Sequence, residues 1–214
     1  MATLIVVRHG ESEGNQDHRF IGQSQVPLTR RGRTQAQAVA TRLGGESITR
    51  IVSSDLVRCV ETVAPLARST GIEIETSPLL REIDNGEWTG LSPEEISRGW
   101  PELWEDYVGG ADVARPAGER WQDVEARVLP IAQEPLEDEG VVVVGTHSGP
   151  TLLMARWASG GTGHGNVFRG HLGGAHNGSL TVISPGPRLI AFNDVGHLGS
   201  LPDQGLPFDP VTTP

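Results

Sequence analysis

Short apolar runs alternate with longer stretches of helical spacing along the chain. Residues 4–7, 51–53 and 141–144 are rich in β-branched side chains, and each run is followed by polar residues or glycine. This pattern predicts short strands that are buried on both faces of a sheet. Residues 72–74 alternate with charge instead, which predicts an edge strand.

Helices are predicted after these strands. Thr29 is a predicted N-cap for a helix that ends at Gly44, and apolar residues recur between them at helical spacing. A second helix is expected from about residue 55, where Pro65 should kink or break it. A third helix is expected over residues 149–159.

The second half of the chain carries three further features. Residues 92–118 are interpreted as an insertion of loop and short helix, opened by a capping box. A helix interrupted by Pro130 and Pro135 is predicted over residues 119–137. Two apolar runs within residues 180–192, separated by Pro-Gly-Pro, predict a hairpin.

The alternation of strands and helices predicts the fold class. We expect an α/β three-layer sandwich, in which a mostly parallel central sheet is flanked by helices. Residues 1–198 are expected to form one domain that includes the insertion. Residues 199–214 are rich in Pro, Gly and Asp, which predicts a poorly ordered tail.

Polar residues follow three of the predicted strands. Arg8 and His9 come after the first, residues 53–58 after the second, and His147 after the third. Ligands of such sheets bind at the carboxyl ends of the strands. If the three strands are neighbours, these residues converge on one site.

The residue types at these strand ends suit phosphoryl transfer. A phosphoryl group in transfer spreads negative charge over three oxygens, and the planar fork of an arginine donates two hydrogen bonds at once. Arg8 and Arg58 are the candidates for this contact. Neutral imidazole is a competent nucleophile near pH 7. Gly10 and Gly149 have no side chain, so the backbone at these positions can approach a ligand closely.

Composition restricts the partners. The 214-residue chain has a formal net charge of -10, so its surface repels nucleic acid, and an anionic substrate needs a local positive pocket. Cys59 is the single cysteine, which excludes an intramolecular disulfide. The N-terminal apolar run is too short for a signal peptide or a membrane span. We therefore expect a cytoplasmic protein with no membrane partner.

Several motifs, in order, resemble those of the histidine phosphatase superfamily, also called the phosphoglycerate-mutase-like family. Arg-His-Gly-Glu-Ser followed by Asn15 resembles the family signature. The other matching segments are residues 22–36, 53–62, 80–91, 146–149, 177–179 and 193–198. Together the motifs extend over roughly residues 3 to 198.

The resemblance implies a role for each matching residue. His9 would be the nucleophile that becomes phosphohistidine. Arg8, Arg58 and His147 would hold the phosphoryl oxygens. Glu82 would be the general acid that protonates the leaving alcohol and then activates water.

The resemblance also implies substrate contacts and chemistry without a metal or other cofactor. Asn15, Ile21, Gly22 and Ser148 are the predicted substrate-binding residues. In the acid phosphatase branch of the family an Asp follows the second histidine, whereas this chain has Ser148 there. The late histidines have irregular spacing, which disfavours a metal site; they are His164, His171, His176 and His197. Dimeric relatives favour a homodimer by analogy.

Three functions are compatible with these motifs. The first is a phosphatase that acts on a small phosphorylated metabolite. The second is a 2,3-bisphosphoglycerate-dependent phosphoglycerate mutase, and the third is a non-catalytic phosphate-binding member. Residues 83–93 lack the Asn-Lys pair of the mutases and carry acidic Asp84 and Glu87, which favours the phosphatase.

Overall fold

A six-stranded sheet forms the centre of the protein. The computed structural model describes residues 2–16, 19–134, 139–161, 165–169 and 172–200. The strands are β1 (Thr3–Arg8), β2 (Ile48–Ser54), β3 (Ile74–Ser77), β4 (Val141–Thr146), β5 (Leu180–Ser184) and β6 (Arg188–Asp194). Their order is β3-β2-β4-β1-β5-β6; the first four are parallel, whereas β5 and β6 form an antiparallel hairpin. The predicted α/β class, edge strand and hairpin are confirmed.

Helices cover both faces of this sheet. They are α1 (Glu13–Gln16), α2 (Arg30–Leu43), α3 (Val57–Thr70), α4 (Pro93–Gly99), α5 (Pro101–Val108), α6 (Trp121–Gln133) and α7 (Ser148–Ala158). Short 3-10 turns occupy Pro78–Leu80, Gly86–Trp88, Val167–Arg169 and Gly196–Leu198. None of the helices in the described part of the chain is long and apolar enough to cross a membrane.

Alternation along the strands divides the interior into two cores. Leu4 and Val6 of β1 face a core that includes apolar residues of α6 and α7. Ile5 and Val7 face the opposite core, which is filled by α2 and α3. Successive strand residues point to opposite faces, so a strand covered on both sides must be apolar throughout. This is why β1 contains no polar residue between Leu4 and Val7.

The inserted segment packs against Phe20 and Trp88 to form a third, smaller core. Phe20, Trp88, Ile96, Tyr107 and Val113 pack together outside the two main cores. The capping box predicted at the start of the insertion is present at α4. The predicted domain boundaries remain a prediction, and residues 201–214 lie outside the described chain.

Pro65 was expected to kink or break its helix and Pro130 to interrupt another, and the expected breaks are wrong. Pro65 lies inside α3 and Pro130 inside α6, and both helices continue through them. Each proline removes one backbone hydrogen bond. Buried residues on both sides of Pro65, such as Val63 and Leu66, hold the helix in the core. Packing therefore outweighs the lost bond. Pro135 lies outside the described residues.

The start of α2 anchors the loop that follows β1. Thr29 caps the helix by accepting the backbone N–H of Gly32 at 3.0 Å. A Cβ atom at Gly32 would lie 2.0 Å from the carbonyl oxygen of Glu11. A side chain does not fit there, because the atoms that it would meet belong to the backbone of Glu11 and cannot rotate away.

We expect Gly32→Ala to destabilise the protein by about 1–3 kcal/mol, the usual cost of overpacking. Gly45→Ala is the matched control, because a Cβ atom at Gly45 would meet nothing within 4 Å. Urea unfolding of the two variants and the wild type measures the difference. Equal stability of Gly32→Ala and Gly45→Ala would contradict the close approach.

Candidate active site

His9 lies at the carboxyl end of β1 and is 5% exposed. Its Nδ1 is 2.7 Å from the carbonyl oxygen of Gly10. A carbonyl only accepts, so Nδ1 carries the proton and Nε2 keeps its lone pair. Burial, and then the positive charges of Arg58 and Arg8, hold the pKa of His9 well below 6.5. The side chain is therefore a neutral imidazole with a free nitrogen.

His147 faces His9 from the end of β4. The two ring centroids are 5.2 Å apart. The Nε–H of Arg58 donates to Nδ1 of His147 at 3.2 Å, so the proton of His147 is on Nε2, which lies 2.9 Å from Ser54 Oγ. Burial and the charge of Arg58 lower the pKa of His147 well below 6.5. The second histidine is neutral as well.

Two buried arginines supply positive charge beside these histidines. Arg8 donates to the carbonyl of Ala175. Arg58 donates to the carbonyls of Gly22 and Ser24, both at 2.8 Å, besides its bond to His147. A guanidinium has five N–H groups, so two of those on Arg58 are left for a ligand.

Glu82 is half-buried and lies at the N-terminus of α7. Its carboxyl oxygens accept the backbone N–H groups of Ile83 at 3.0 Å and Gly149 at 3.2 Å. Arg127 donates to the carbonyl of Glu82 at 3.0 Å, which fixes the backbone there. A Cβ atom at Gly149 would lie 2.5 Å from Glu82 Oε1. The carboxyl group therefore depends on a glycine at position 149.

The four predicted substrate-binding residues differ in how the structure connects them to the site. Asn15 accepts from Ser12 N–H at 2.9 Å through Oδ1, and within the described chain its Nδ2 donates to no group. The Oγ of Ser148 is buried without a hydrogen-bond partner in the described chain. Ile21 packs against Gly14 in the turn that carries Asn15. Gly22 has φ +51 and contributes the carbonyl that Arg58 binds.

Two residues that hold the backbone of the site, Asn177 and Thr62, were not among the predicted site residues. Asn177 donates to the carbonyl of His9 at 3.0 Å, and Thr62 accepts the N–H of Gly10 at 3.0 Å. Both lie within motifs that matched the family, but their partners could not be read from spacing. Cys59 Sγ lies 3.3 Å from His147 Nε2, and burial raises the pKa of this thiol to about 12.

The late histidines form no metal-binding cluster within the described part of the chain. His197 is 3.0 Å from the carbonyl of Gly178 through Nε2, and burial lowers its pKa. His164 and His171 lie outside the described residues. Within the described chain no group of three or more His, Cys, Asp or Glu side chains could hold a metal ion.

A phosphoryl group fits this arrangement chemically. The free Nε2 of His9 can act as a nucleophile, and the N-terminus of α7 and Arg58 offer donors for anionic oxygens. Glu82, at the N-terminus of the same helix, has a carboxyl group that can transfer a proton. The structure brings together the residues predicted to form the site, while their individual roles remain predictions.

Sequence comparison finds relatives with two kinds of name. A glucosyl-3-phosphoglycerate phosphatase of Mycobacterium tuberculosis is 36% identical over 136 residues, which is 64% of this chain and 61% of the relative. The match thus spans less than two thirds of that protein. A probable phosphoglycerate mutase GpmB of Salmonella choleraesuis is 34% identical over 173 residues, or 74% of this chain and 78% of the relative.

Comparison with solved structures finds proteins that share the fold of this chain. A mycobacterial glucosyl-3-phosphoglycerate phosphatase superposes with a TM-score of 0.79 at 30% identity, covering 90% of this chain and 98% of that chain. Bacillus stearothermophilus YhfR superposes with a TM-score of 0.83 at 27% identity, covering 92% and 100%. The family description "Histidine phosphatase superfamily (branch 1)" matches residues 4–195. The chain therefore belongs to branch 1 of the histidine phosphatase superfamily.

Proposed function

We propose that the protein is a metal-independent phosphomonoesterase that acts on a small phosphorylated metabolite. The observation that carries this proposal is the state of His9: it is buried, neutral and has Nε2 free, beside Arg8 and Arg58. A neutral nitrogen surrounded by cations attracts the phosphoryl group while it keeps the lone pair needed for attack. Family membership supports a phosphatase.

The proposed reaction has two steps. In the first, Nε2 of His9 attacks phosphorus, the bond from phosphorus to the alcohol oxygen breaks, and Glu82 gives its proton to that oxygen. In the second, Glu82 takes a proton from water, the water oxygen attacks phosphorus, and the nitrogen–phosphorus bond breaks. The bond from Nδ1 to the Gly10 carbonyl stabilises the positive charge that develops on the ring in the first step.

A phosphoglycerate mutase is the alternative, and the name of the Salmonella relative supports it. A mutase has to retain the phosphoryl group on histidine until a second hydroxyl accepts it. The absence of the mutase Asn-Lys pair from residues 83–93 favours transfer to water.

We expect the wild type to release inorganic phosphate from 3-phosphoglycerate or another small phosphomonoester in the presence of a chelator. The measurement is phosphate release beside formation of 2-phosphoglycerate, with and without added 2,3-bisphosphoglycerate. His9→Ala is the control and should lose the activity. Isomerisation faster than phosphate release, or a His9→Ala protein as active as wild type, would contradict the proposal.

We expect Glu82→Gln to slow hydrolysis of an alkyl phosphate by on the order of 100-fold, because a poor leaving group needs a proton. The loss should be smaller for 4-nitrophenyl phosphate, whose leaving group departs as an anion. Glu87→Gln is the matched control, because Glu87 is an exposed residue of the same loop. Steady-state kinetics with both esters tests this. An equal loss on the two substrates would argue against an acid role for Glu82.

The lowered pKa of His9 has a measurable consequence. Because burial and two arginines disfavour the imidazolium form, the ring should stay neutral as the pH falls below 6.5. Histidine NMR titration measures this directly, with His9→Asn to assign the signal. A His9 signal that titrates with a midpoint at 6.5 or above would contradict the electrostatic argument.

A further inference from the structure

Cys59, in the first turn of α3, is a buried group that the proposed mechanism does not use. It is fully buried, as are Ser54 at the end of β2 and His147 after β4. Its Sγ lies 3.4 Å from the carbonyl oxygen of Thr146 and 3.3 Å from Nε2 of His147. A buried thiol often packs as a small apolar group. Here it belongs to a hydrogen-bond network that includes the second histidine of the site.

One end of this network is Arg58, which can only donate. Its Nε–H donates to Nδ1 of His147 at 3.2 Å. A proton on Nδ1 would face that N–H directly, and two donors cannot form a hydrogen bond, so Nδ1 keeps its lone pair. The proton of the neutral ring is therefore on Nε2, and its nearer partner is Ser54 Oγ at 2.9 Å.

The hydroxyl group of Ser54 then has one proton to donate. A serine hydroxyl accepts two hydrogen bonds and donates one. Ser54 Oγ accepts from Nε2 of His147 and from the backbone N–H of Leu56 at 3.3 Å, which uses both lone pairs. Ser54 is also hydrogen-bonded to the thiol of Cys59. The hydroxyl proton is therefore donated to the sulfur.

The other end of the network is a carbonyl oxygen, which can only accept. Burial raises the pKa of Cys59 to about 12, so the sulfur keeps its proton near pH 7 and donates it to the carbonyl of Thr146. The hydrogen bonds thus all run the same way, along the series Arg58, His147, Ser54, Cys59 and Thr146. Because one end can only donate and the other can only accept, a single arrangement of protons satisfies every group.

We propose that Ser54 and Cys59 are positioning residues, which hold the proton of His147 on Nε2 so that Nδ1 stays an acceptor for Arg58. The guanidinium of Arg58 is then fixed by the imidazole and by two backbone carbonyls. Its two remaining N–H groups are held in place for a phosphoryl oxygen. The inference deepens the proposed function and rests on it for the identity of this ligand.

Loss of the sulfur has a specific consequence. In Cys59→Ala the Ser54 hydroxyl has no acceptor for its proton, and a buried donor without a partner is costly. The hydroxyl group can regain a hydrogen bond by donating to Nε2 of His147, which requires the histidine proton to move to Nδ1. There it opposes the N–H of Arg58. We expect a mixture of the two His147 tautomers and about 5-fold weaker binding of inorganic phosphate, the usual effect of one lost hydrogen bond.

The test combines ¹⁵N-histidine NMR with calorimetric titration of inorganic phosphate. NMR distinguishes a protonated ring nitrogen from one with a lone pair, and His147→Asn assigns the signals. The wild type should show the Nε2–H tautomer of His147 without ligand. Cys59→Ser should keep this tautomer and the phosphate affinity, because a hydroxyl group also accepts from Ser54. Val63→Ala is the matched control: it removes buried apolar volume from the same helix and should bind phosphate as the wild type does.

Each outcome decides the proposal. An Nδ1–H tautomer in the wild type overturns it, as does a Cys59→Ala protein with an unchanged tautomer or unchanged phosphate affinity. Equal losses in Cys59→Ala and Cys59→Ser would show that the sulfur only fills space. If Cys59→Ala does not fold by circular dichroism, Cys59→Val replaces it, since valine is of similar size and accepts no hydrogen bond.

The same measurements separate this proposal from the proposed function, because neither requires turnover. A wild type that gives both expected results but hydrolyses no phosphomonoester refutes the phosphatase and leaves the roles of Ser54 and Cys59 in place. An active wild type whose Cys59→Ala variant is unchanged in tautomer and affinity refutes only those roles.

Discussion

The parallel register of β1 on β4 is the constraint on which the rest of the site depends. Arg8 pairs with Thr146 in this ladder, so the next residues of the two strands, His9 and His147, emerge side by side. A slip of one residue would send alternate side chains to the wrong core, because β1 is packed on both faces. The two apolar cores therefore fix the relative position of the two imidazoles as firmly as any contact within the site.

Burial then gives these imidazoles their chemical state. An imidazole in water takes up a proton near pH 6.5. Here burial, and then the charges of the neighbouring arginines, lower the pKa of both histidines and keep both rings neutral. The cations are held by backbone carbonyls such as those of Gly22 and Ser24. Carbonyls stabilise a guanidinium but leave its net charge in place, so the positive potential remains directed at the incoming anion.

The sequence predicted the parts of this site that follow directly from strand ends. Hydrophobic runs located β1, β2 and β4, and the rule for parallel sheets placed His9, Arg58 and His147 together. The helix breaks at Pro65 and Pro130 were mispredicted, because local propensity does not include core packing. The burial of Arg115 of the insertion against aromatic rings could not be predicted, since a long insertion without periodicity does not reveal which surface it covers.

The single sulfhydryl of the chain lies at the centre of the site, in contact with His147. A cysteine beside a histidine is reactive where the imidazole takes its proton and leaves a thiolate. Here His147 is neutral and donates to Ser54, and a thiol with a pKa of about 12 is ionised in only about one molecule in 10⁵ at pH 7. Burial therefore keeps Cys59 in the thiol form, which is a much weaker nucleophile toward oxidants and electrophiles than a thiolate.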